Sequence, residues 1–299
     1  MPKLVNLGSL CIDNVYRVPE LTGPGETVAS VSYEVFPGGK GLNQSIAAAR
    51  AGAEVIHAGC VGKDGVWLKD TLSAEGVDVT GVRVVDTASG HAVIQVNDAG
   101  ENSIVITGGA NRALEADQVD AVLAQVEPGD WLLLQNEIND LNGVLRAAAK
   151  RRCRVAFNVA PVDGREANYE LAGVQLLIVN EIEAAALAGT DIGDGDWTEV
   201  VDRLRGRAPD ADIVLTLGRD GLVHAGDEGL VTMAAYDVKA IDETAAGDAF
   251  IGFLMAALIG GEPMTEALRL GSAAGALAVT RAGAASSIPS LDEVRALLP

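Results

Sequence analysis

From residue 114 onward, short apolar runs alternate with helix-like stretches, and this alternation constrains the fold more than any other feature of the chain. The runs at 131–135, 154–158, 175–179 and 212–217 are almost unbroken Leu, Val, Ile, Ala and Phe, with no polar face. Strands of that composition are buried on both sides, as in a parallel sheet. Helical stretches lie at 142–151, 180–188 and 268–280, the last of these Ala-rich. Strands buried on both faces and joined by helices imply a mostly parallel sheet covered by helices above and below. An apolar strand at 3–8 breaks at Gly8-Ser9 and is expected to deliver Asp13 just past its end. A strand at 55–61 and a helix at about 66–75 extend the pattern.

Two regions differ in texture. In 15–37, Pro19, Pro24 and Gly25 mark turns, and Val28, Val31, Tyr33, Val35 and Phe36 suggest short strands. The runs 91–97 and 103–107 are joined by Asp-Ala-Gly-Glu-Asn, with Gly100 supplying the turn of a hairpin. Together they predict a small sheet, within about 11–37 and 89–108, placed to act as a lid. No internal repeat or low-complexity linker divides the 299 residues, so a single domain over 1–299 is expected.

A net charge of −20 argues against nucleic acid as a partner, since phosphate backbones need a basic face. The cysteines (Cys11, Cys60, Cys153) and histidines (His57, His91, His224) are scattered and form neither a disulfide framework nor a zinc pattern. Residues 1–10 do not read as a signal peptide. The longest uncharged run is shorter than the ~20 residues that span a bilayer. A cytoplasmic protein without a membrane partner is the expectation.

Two stretches carry chemistry. In 242–257 a turn of small and polar residues leads to one carboxylate, Asp248, and then to residues 249–260 without a charge. That tail reads as a helix buried all round. The uncrowded N–H groups of Ala245, Ala246 and Gly247 at its start form an anion site, aided by the helix dipole. A carboxylate beside an anion is unfavourable unless it has a task, such as taking a proton from a hydroxyl that attacks a phosphate. The competing reading is that Asp248 caps the helix. The second stretch, Pro-Gly-Gly-Lys-Gly-Leu-Asn-Gln at 37–44, combines Gly38, Gly39 and Gly41 with Lys40 and Asn43 at a helix start. It is not a P-loop, because Gly41 stands where Ser or Thr would follow the lysine. Asp13, Glu137, Asn180 with Glu183, and Thr216 with Gly218 and Gly221 all fall near strand ends. In an open α/β sheet those ends share one ligand crevice.

These residues resemble the PfkB sugar-kinase family, in its ribokinase-like branch, over nearly the whole chain. The segments that carry the resemblance are 37–53 and 242–254, with 89–111, 135–137, 180–189, 215–221 and 276–289 in register between and after them. The resemblance implies a ribokinase-like three-layer α/β fold with a small β-sheet lid. It implies transfer of the γ-phosphoryl of ATP to the primary hydroxyl of a small sugar, D-ribose first. Another sugar (fructose or a keto-deoxy sugar) or a nucleoside is the alternative within the class. A sugar-binding regulator that has lost catalysis is the alternative outside it. By resemblance Asp248 is the base, and Ala245, Ala246 and Gly247 form the anion hole. Cys11, Asp13, Gly39, Lys40, Asn43 and Glu137 face the sugar; Asn180, Thr216, Gly218, Gly221, Gly247 and Ser272 face the nucleotide. Glu183 places Mg2+ through water, and Asp242, Thr244, Ala278, Arg281, Gly283 and Ser287 surround a monovalent cation, K+. A homodimer through the lid is also implied. Three positions depart from the pattern: Cys11 and Ser272 stand where Asn is common, and Glu243 where Thr is common. A thiol donates and accepts only weakly. Loss of one buried hydrogen bond to a sugar hydroxyl costs about 1–3 kcal/mol.

Overall fold

The computed structural model describes residues 2–190, 197–227 and 229–298. The chain opens with β1 (Leu4–Leu7), β2 (Cys11–Arg17), β3 (Ser32–Gly38), α1 (Lys40–Arg50), β4 (Val55–Gly62), α2 (Trp67–Ala74) and β5 (Asp78–Val85). It continues through β6 (Gly90–Val96), β7 (Asn102–Thr107), α3 (Ala116–Leu123), β8 (Trp131–Gln135), α4 (Leu141–Arg151) and β9 (Arg154–Asn158). Then come β10 (Leu176–Asn180), α5 (Glu181–Ala188), α6 (Thr198–Arg207), β11 (Asp212–Thr216), β12 (Leu222–Gly226) and β13 (Gly229–Met233). Three helices close the chain: α7 (Ala246–Ile259), α8 (Met264–Ala278) and α9 (Leu291–Leu297).

Nine strands form the main sheet, in the order β13-β12-β11-β10-β9-β8-β1-β4-β5. The pairs from β5 across to β11 are parallel; β12 is antiparallel to both of its neighbours. Successive side chains of a strand point to opposite faces, and here both faces are dry. Leu132 and Leu134 of β8 enter one core with residues of α3, α4, α5 and α6, such as Val122, Leu145, Leu187 and Leu204. Trp131 and Leu133 enter the other, with Ile46 of α1, Leu68 of α2, Phe253 of α7 and Leu268 of α8. The unbroken apolar runs therefore serve two cores at once, which gives the expected three layers. A separate four-stranded sheet, β3-β2-β6-β7, is formed by the two segments of different texture.

One placement corrects the sequence reading. Asp13 does not follow the end of a main-sheet strand; it lies within β2 of the small sheet, paired with Phe36 and Ala92. β1 ends at Leu7 and the chain crosses directly into the small sheet. Gly8 permits the crossing, because a Cβ there would lie 2.2 Å from Gln135 Oε1 and 2.8 Å from Gly41 Cα. The edge strand β5 and the helices α3, α6 and α9 were also not anticipated. Among the described residues, no helix is long and apolar enough to cross a membrane.

Candidate active site

The site is built on two helix starts pressed together. Gly39, at φ 95°, precedes α1 in a conformation that other residues rarely adopt. A Cβ on Gly41 would lie 2.4 Å from the backbone N of Ser9 and 2.7 Å from the carbonyl carbon of Gly8. The first turn of α1 thus rests directly on the backbone of the β1–β2 crossing. From that turn Asn43 Nδ2 donates to Asp248 Oδ2 and Gln44 Nε2 donates to Asp248 Oδ1, each at 2.9 Å. Asp248 is only 6% exposed, and α7 is closely applied to α1: a Cβ on Gly252 would meet Ala47 Cβ at 2.2 Å. The residue flanking α7 is Ala245, in a left-handed conformation (φ 59°), and no side chain caps the helix. Asp248 is therefore not a cap; its carboxylate is held by α1 instead.

A cavity of about 220 Å³ opens at the start of α7. Lys40, Asn180, Glu183, Thr216, Glu243, Ala245, Gly247 and Asp248 line it. A Cβ on Gly247 would meet nothing within 4 Å, so the backbone there borders open space. Burial works against the charge of Lys40, but the carboxylates of Asp248, Glu137 and Glu183 outweigh it and hold the ammonium above its ordinary range. Glu183 and Asn180 form a reciprocal cap on α5: Asn180 N donates to Glu183 Oε2 at 2.8 Å, and Glu183 N donates to Asn180 Oδ1 at 2.9 Å. Burial pushes the Glu183 carboxyl up, opposed by that backbone bond and by Lys40, with Asp248 adding to the rise.

A second cavity of about 200 Å³ is lined by Cys11, Ile106, Asn111, Arg112, Asn136 and Glu137, among others. Glu137 Oε2 accepts from the backbone N of Lys40 at 2.9 Å and from Ser9 Oγ. Asn111 Nδ2 donates to the Leu10 carbonyl at 3.0 Å and to Cys11 Sγ at 3.4 Å. Burial, with Glu137 and Asp13 nearby, drives the Cys11 thiol well above its usual range.

Burial first, then the charges of Glu137 and Asp248, push Asp13 up to about 7. An unfolded Asp titrates near 3.9, so the folded chain holds this proton more tightly. The stability it contributes is full below about pH 4 and is lost as pH rises through about 7. Asp13→Asn, which resembles the protonated acid, should raise the thermal midpoint at pH 8 by about 3–6 °C and far less at pH 5. Calorimetry at both pH values checks this; equal shifts would show that the charge of Asp13 is not the cause.

The remaining expected residues lie farther out. Gly218 and Gly221 form the turn between β11 and β12, where a Cβ on Gly221 would be 2.0 Å from the Met233 carbonyl oxygen. Ser272 Oγ faces Met233 Sδ at 3.9 Å, and none of these three residues borders either cavity. Asp242 Oδ1 accepts from Thr244 N at 2.9 Å, and its Oδ2 accepts from Gly283 N at 2.9 Å, joining the turn before α7 to the one after α8. Ala278 lies at the end of α8, where its carbonyl accepts from Arg281 N. The Arg281 side chain turns away to Glu293, 2.7 Å off. Ser287 Oγ donates to the Ala284 carbonyl at 2.8 Å. Ser9, Gln44, Gln135, Asn6 and Asn158 were not singled out from the sequence. A signal for three of them was present: Asn6 lies within an apolar strand run and Gln135 and Asn158 end such runs, and buried polar groups must find partners.

The chain matches the family described as pfkB family carbohydrate kinase over residues 1–291. It is 37% identical over 296 residues to the ribokinase of Haemophilus influenzae, covering 97% of this chain and 96% of that one. The solved ribokinase of Thermotoga maritima superposes with a TM-score of 0.87 at 32% identity, over 99% of each chain. The Arabidopsis thaliana ribokinase complexed with ribose and ATP gives 0.86 at 27% identity, over 99% of this chain and 98% of that one. Match length, identity and fold agree, and the chain belongs to the PfkB family of carbohydrate kinases.

Proposed function

We propose that this enzyme transfers the γ-phosphoryl group of ATP to the primary hydroxyl of a small sugar, D-ribose being the first candidate, with Asp248 as the base. The observation that carries this reading is the Asp248 carboxylate, held at both oxygens by amide donors in the cavity onto which the uncapped start of α7 opens. The hydroxyl proton passes to Asp248, the oxygen forms its bond to the γ-phosphorus, and the bond to the ADP oxygen breaks. Such a transfer needs positioning and charge stabilisation more than covalent help. The N–H groups around Ala245, Ala246 and Gly247 and the ammonium of Lys40 meet the charge on the phosphoryl oxygens, each well-aimed donor lowering the barrier by about 3–4 kcal/mol. Asp13 and Glu137 accept from sugar hydroxyls beside Gly39 and Asn43, while Asn180, Thr216, Gly218, Gly221 and Ser272 belong to the nucleotide side.

Two ions complete the proposal. Mg2+ supplies charge neutralisation on the phosphates; Glu183 suits its placement through water, because each carboxylate oxygen accepts one bond from Asn180 and keeps a lone pair free. K+ supplies a fixed charge behind the anion turn. The joined turns at Asp242, Thr244 and Gly283, with Ala278, Arg281 and Ser287 close in sequence, offer one carboxylate and otherwise carbonyl and hydroxyl oxygens. That set suits a weakly binding monovalent ion. Among the described residues no group of three His, Cys, Asp or Glu side chains is placed to hold a metal ion, so both ions would rest on water, carbonyl and hydroxyl oxygens as well. Pairing of two chains through the lid is supported by Val105, 66% exposed, and Ile106, 56% exposed, on β7. A single sedimenting monomer at micromolar concentration would remove that part of the proposal.

An assay coupling ADP release to a panel of pentoses, hexoses and nucleosides tests the function. Sugar-dependent ADP release supports it, and no release with any member rejects it. Cys11 sharpens the panel, because its thiol offers a hydroxyl less than an amide would. Cys11→Asn should raise kcat/KM for ribose about tenfold, the worth of one buried hydrogen bond. An unchanged value would show that the substrate does not reach position 11, and a second small sugar preferred by the unaltered enzyme would make ribose the secondary substrate.

A further inference from the structure

Behind Asp248 lies a run of buried side-chain amides whose orientations are forced one by one. The carbonyl of Gly41 can only accept, so Asn6 must present Nδ2 to it, at 2.8 Å. The second proton of that amide goes to Ser45 Oγ at 2.8 Å. Ser45 Oγ also lies 2.8 Å from His57 Nδ1, and burial lowers the pKa of that imidazole to about 3, keeping it neutral. Asn6 is left with Oδ1 for Gln135, whose Nε2 donates to it at 3.0 Å and to Gln44 Oε1 at 2.7 Å. Gln44 is left in turn with Nε2, which donates to Asp248 Oδ1 at 2.9 Å and to Asn158 Oδ1 at 3.1 Å. Asn158 Nδ2 ends the run on the Ile178 carbonyl at 3.2 Å. Asn6, Gln44, Ser45, His57 and Gln135 are each 0% exposed, so water cannot replace a lost partner.

We propose that Gln44 is a positioning residue for the base, its amide locked by Gln135 so that only a donor can face Asp248 Oδ1. Turning the Gln44 amide over would break its bonds to Gln135, Asn158 and Asp248 together. The run ends with a donor on Asp248 Oδ1, as Asn43 Nδ2 is on Oδ2, so neutral amides hold both carboxylate oxygens and no positive charge lies behind them. The charged groups facing Asp248 are Asp13, Glu183 and Lys40. The inference rests on Asp248 being the base. It adds a residue, behind the cavities, that acts through Asp248 and does not line either of them.

Two variants test it. Gln44→Met keeps the length of the side chain and removes both donors; kcat should fall about ten- to a hundredfold, with KM for sugar and ATP within about threefold. Gln44→Glu has the amide's shape and donates to Asp248 only while its own carboxyl is protonated. Its kcat should therefore recover, relative to wild type, as pH is lowered across the neutral range, whereas Gln44→Met should show no such recovery. A role in packing alone would not separate the two variants by pH. Wild-type kcat in either folded variant, or a Gln44→Glu profile parallel to that of Gln44→Met, overturns the inference; if Gln44→Met does not fold, an unrecovered Gln44→Glu does so alone. Asp248→Asn separates this from the parent reading. An active Asp248→Asn enzyme rejects the base itself, while an inactive one with an indifferent Gln44→Glu rejects only the role of Gln44.

Discussion

Asp248→Asn lowers kcat by a factor of about 10²–10⁴, the range that a positioned base contributes, and leaves sugar binding within about threefold of wild type. The substitution is nearly isosteric, so the packing of α7 against α1 is retained. It removes the proton acceptor and creates a second fault. Asp248 now accepts from two amides, Asn43 Nδ2 and Gln44 Nε2. An asparagine can turn its oxygen to one of them but must turn its own NH₂ to the other. Two donors then face each other in a buried site, at a cost of about 1–3 kcal/mol. The expected signature is a steep loss of kcat, a modest loss of thermal stability and a nearly unchanged KM for the sugar. Steady-state kinetics with calorimetry on the same preparation reads all three. A variant that keeps full turnover would mean that another group takes the proton.

Gly41→Ala should be strongly damaging to both stability and turnover. Its new methyl group would meet Ser9 N at 2.4 Å, Gly8 C at 2.7 Å and Ser9 O at 2.7 Å, all backbone atoms that cannot rotate aside. Overpacking of this kind costs up to about 3 kcal/mol, or roughly 6–12 °C in thermal midpoint for a chain of this size. The functional loss is larger than the stability loss, because the displaced turn carries Lys40, Asn43 and Gln44. A misplacement of about 1 Å at a reacting centre costs on the order of a hundredfold in rate. Gly206→Ala is the internal control: a Cβ there meets nothing within 4 Å, in the last turn of α6. It should be neutral or stabilise by up to about 1 kcal/mol through helix propensity. Thermal midpoints and kcat measured on both variants decide the matter; similar behaviour in the two would remove the steric account of the α1 start.

The main sheet was legible because parallel strands buried on both faces carry few polar residues to confuse their reading: Leu132, Leu133 and Leu134 fill two cores in turn. β5 was missed for the opposite reason. It is an edge strand, its residues mostly exposed or half-buried, and Asp78, Thr80 and Arg83 break its apolar pattern. α9 carried a readable start, Ser290 followed by Glu293, and the structure forms that reciprocal cap. Asp13 was misplaced because nothing local marks where a chain leaves one sheet for another; the crossing depends on Gly8 lying against Gln135 and Gly41, two distant segments. Gln44 stood in a stretch already singled out, yet its partners Gln135, Asn158 and Asp248 come from three other elements. Local sequence shows that a buried amide needs partners, and only the fold shows which ones.

The central claim is that a phosphoryl group passes from ATP to a sugar's primary hydroxyl at Asp248. The most direct measurement is to incubate the enzyme with ATP and the most active sugar of the panel and to locate the product phosphate by phosphorus–carbon coupling in NMR. The account predicts a phosphate ester on the primary carbon, formed in step with ADP and absent at matched times with Asp248→Asn. Free inorganic phosphate without a sugar ester, or an ester on a ring hydroxyl, would contradict it.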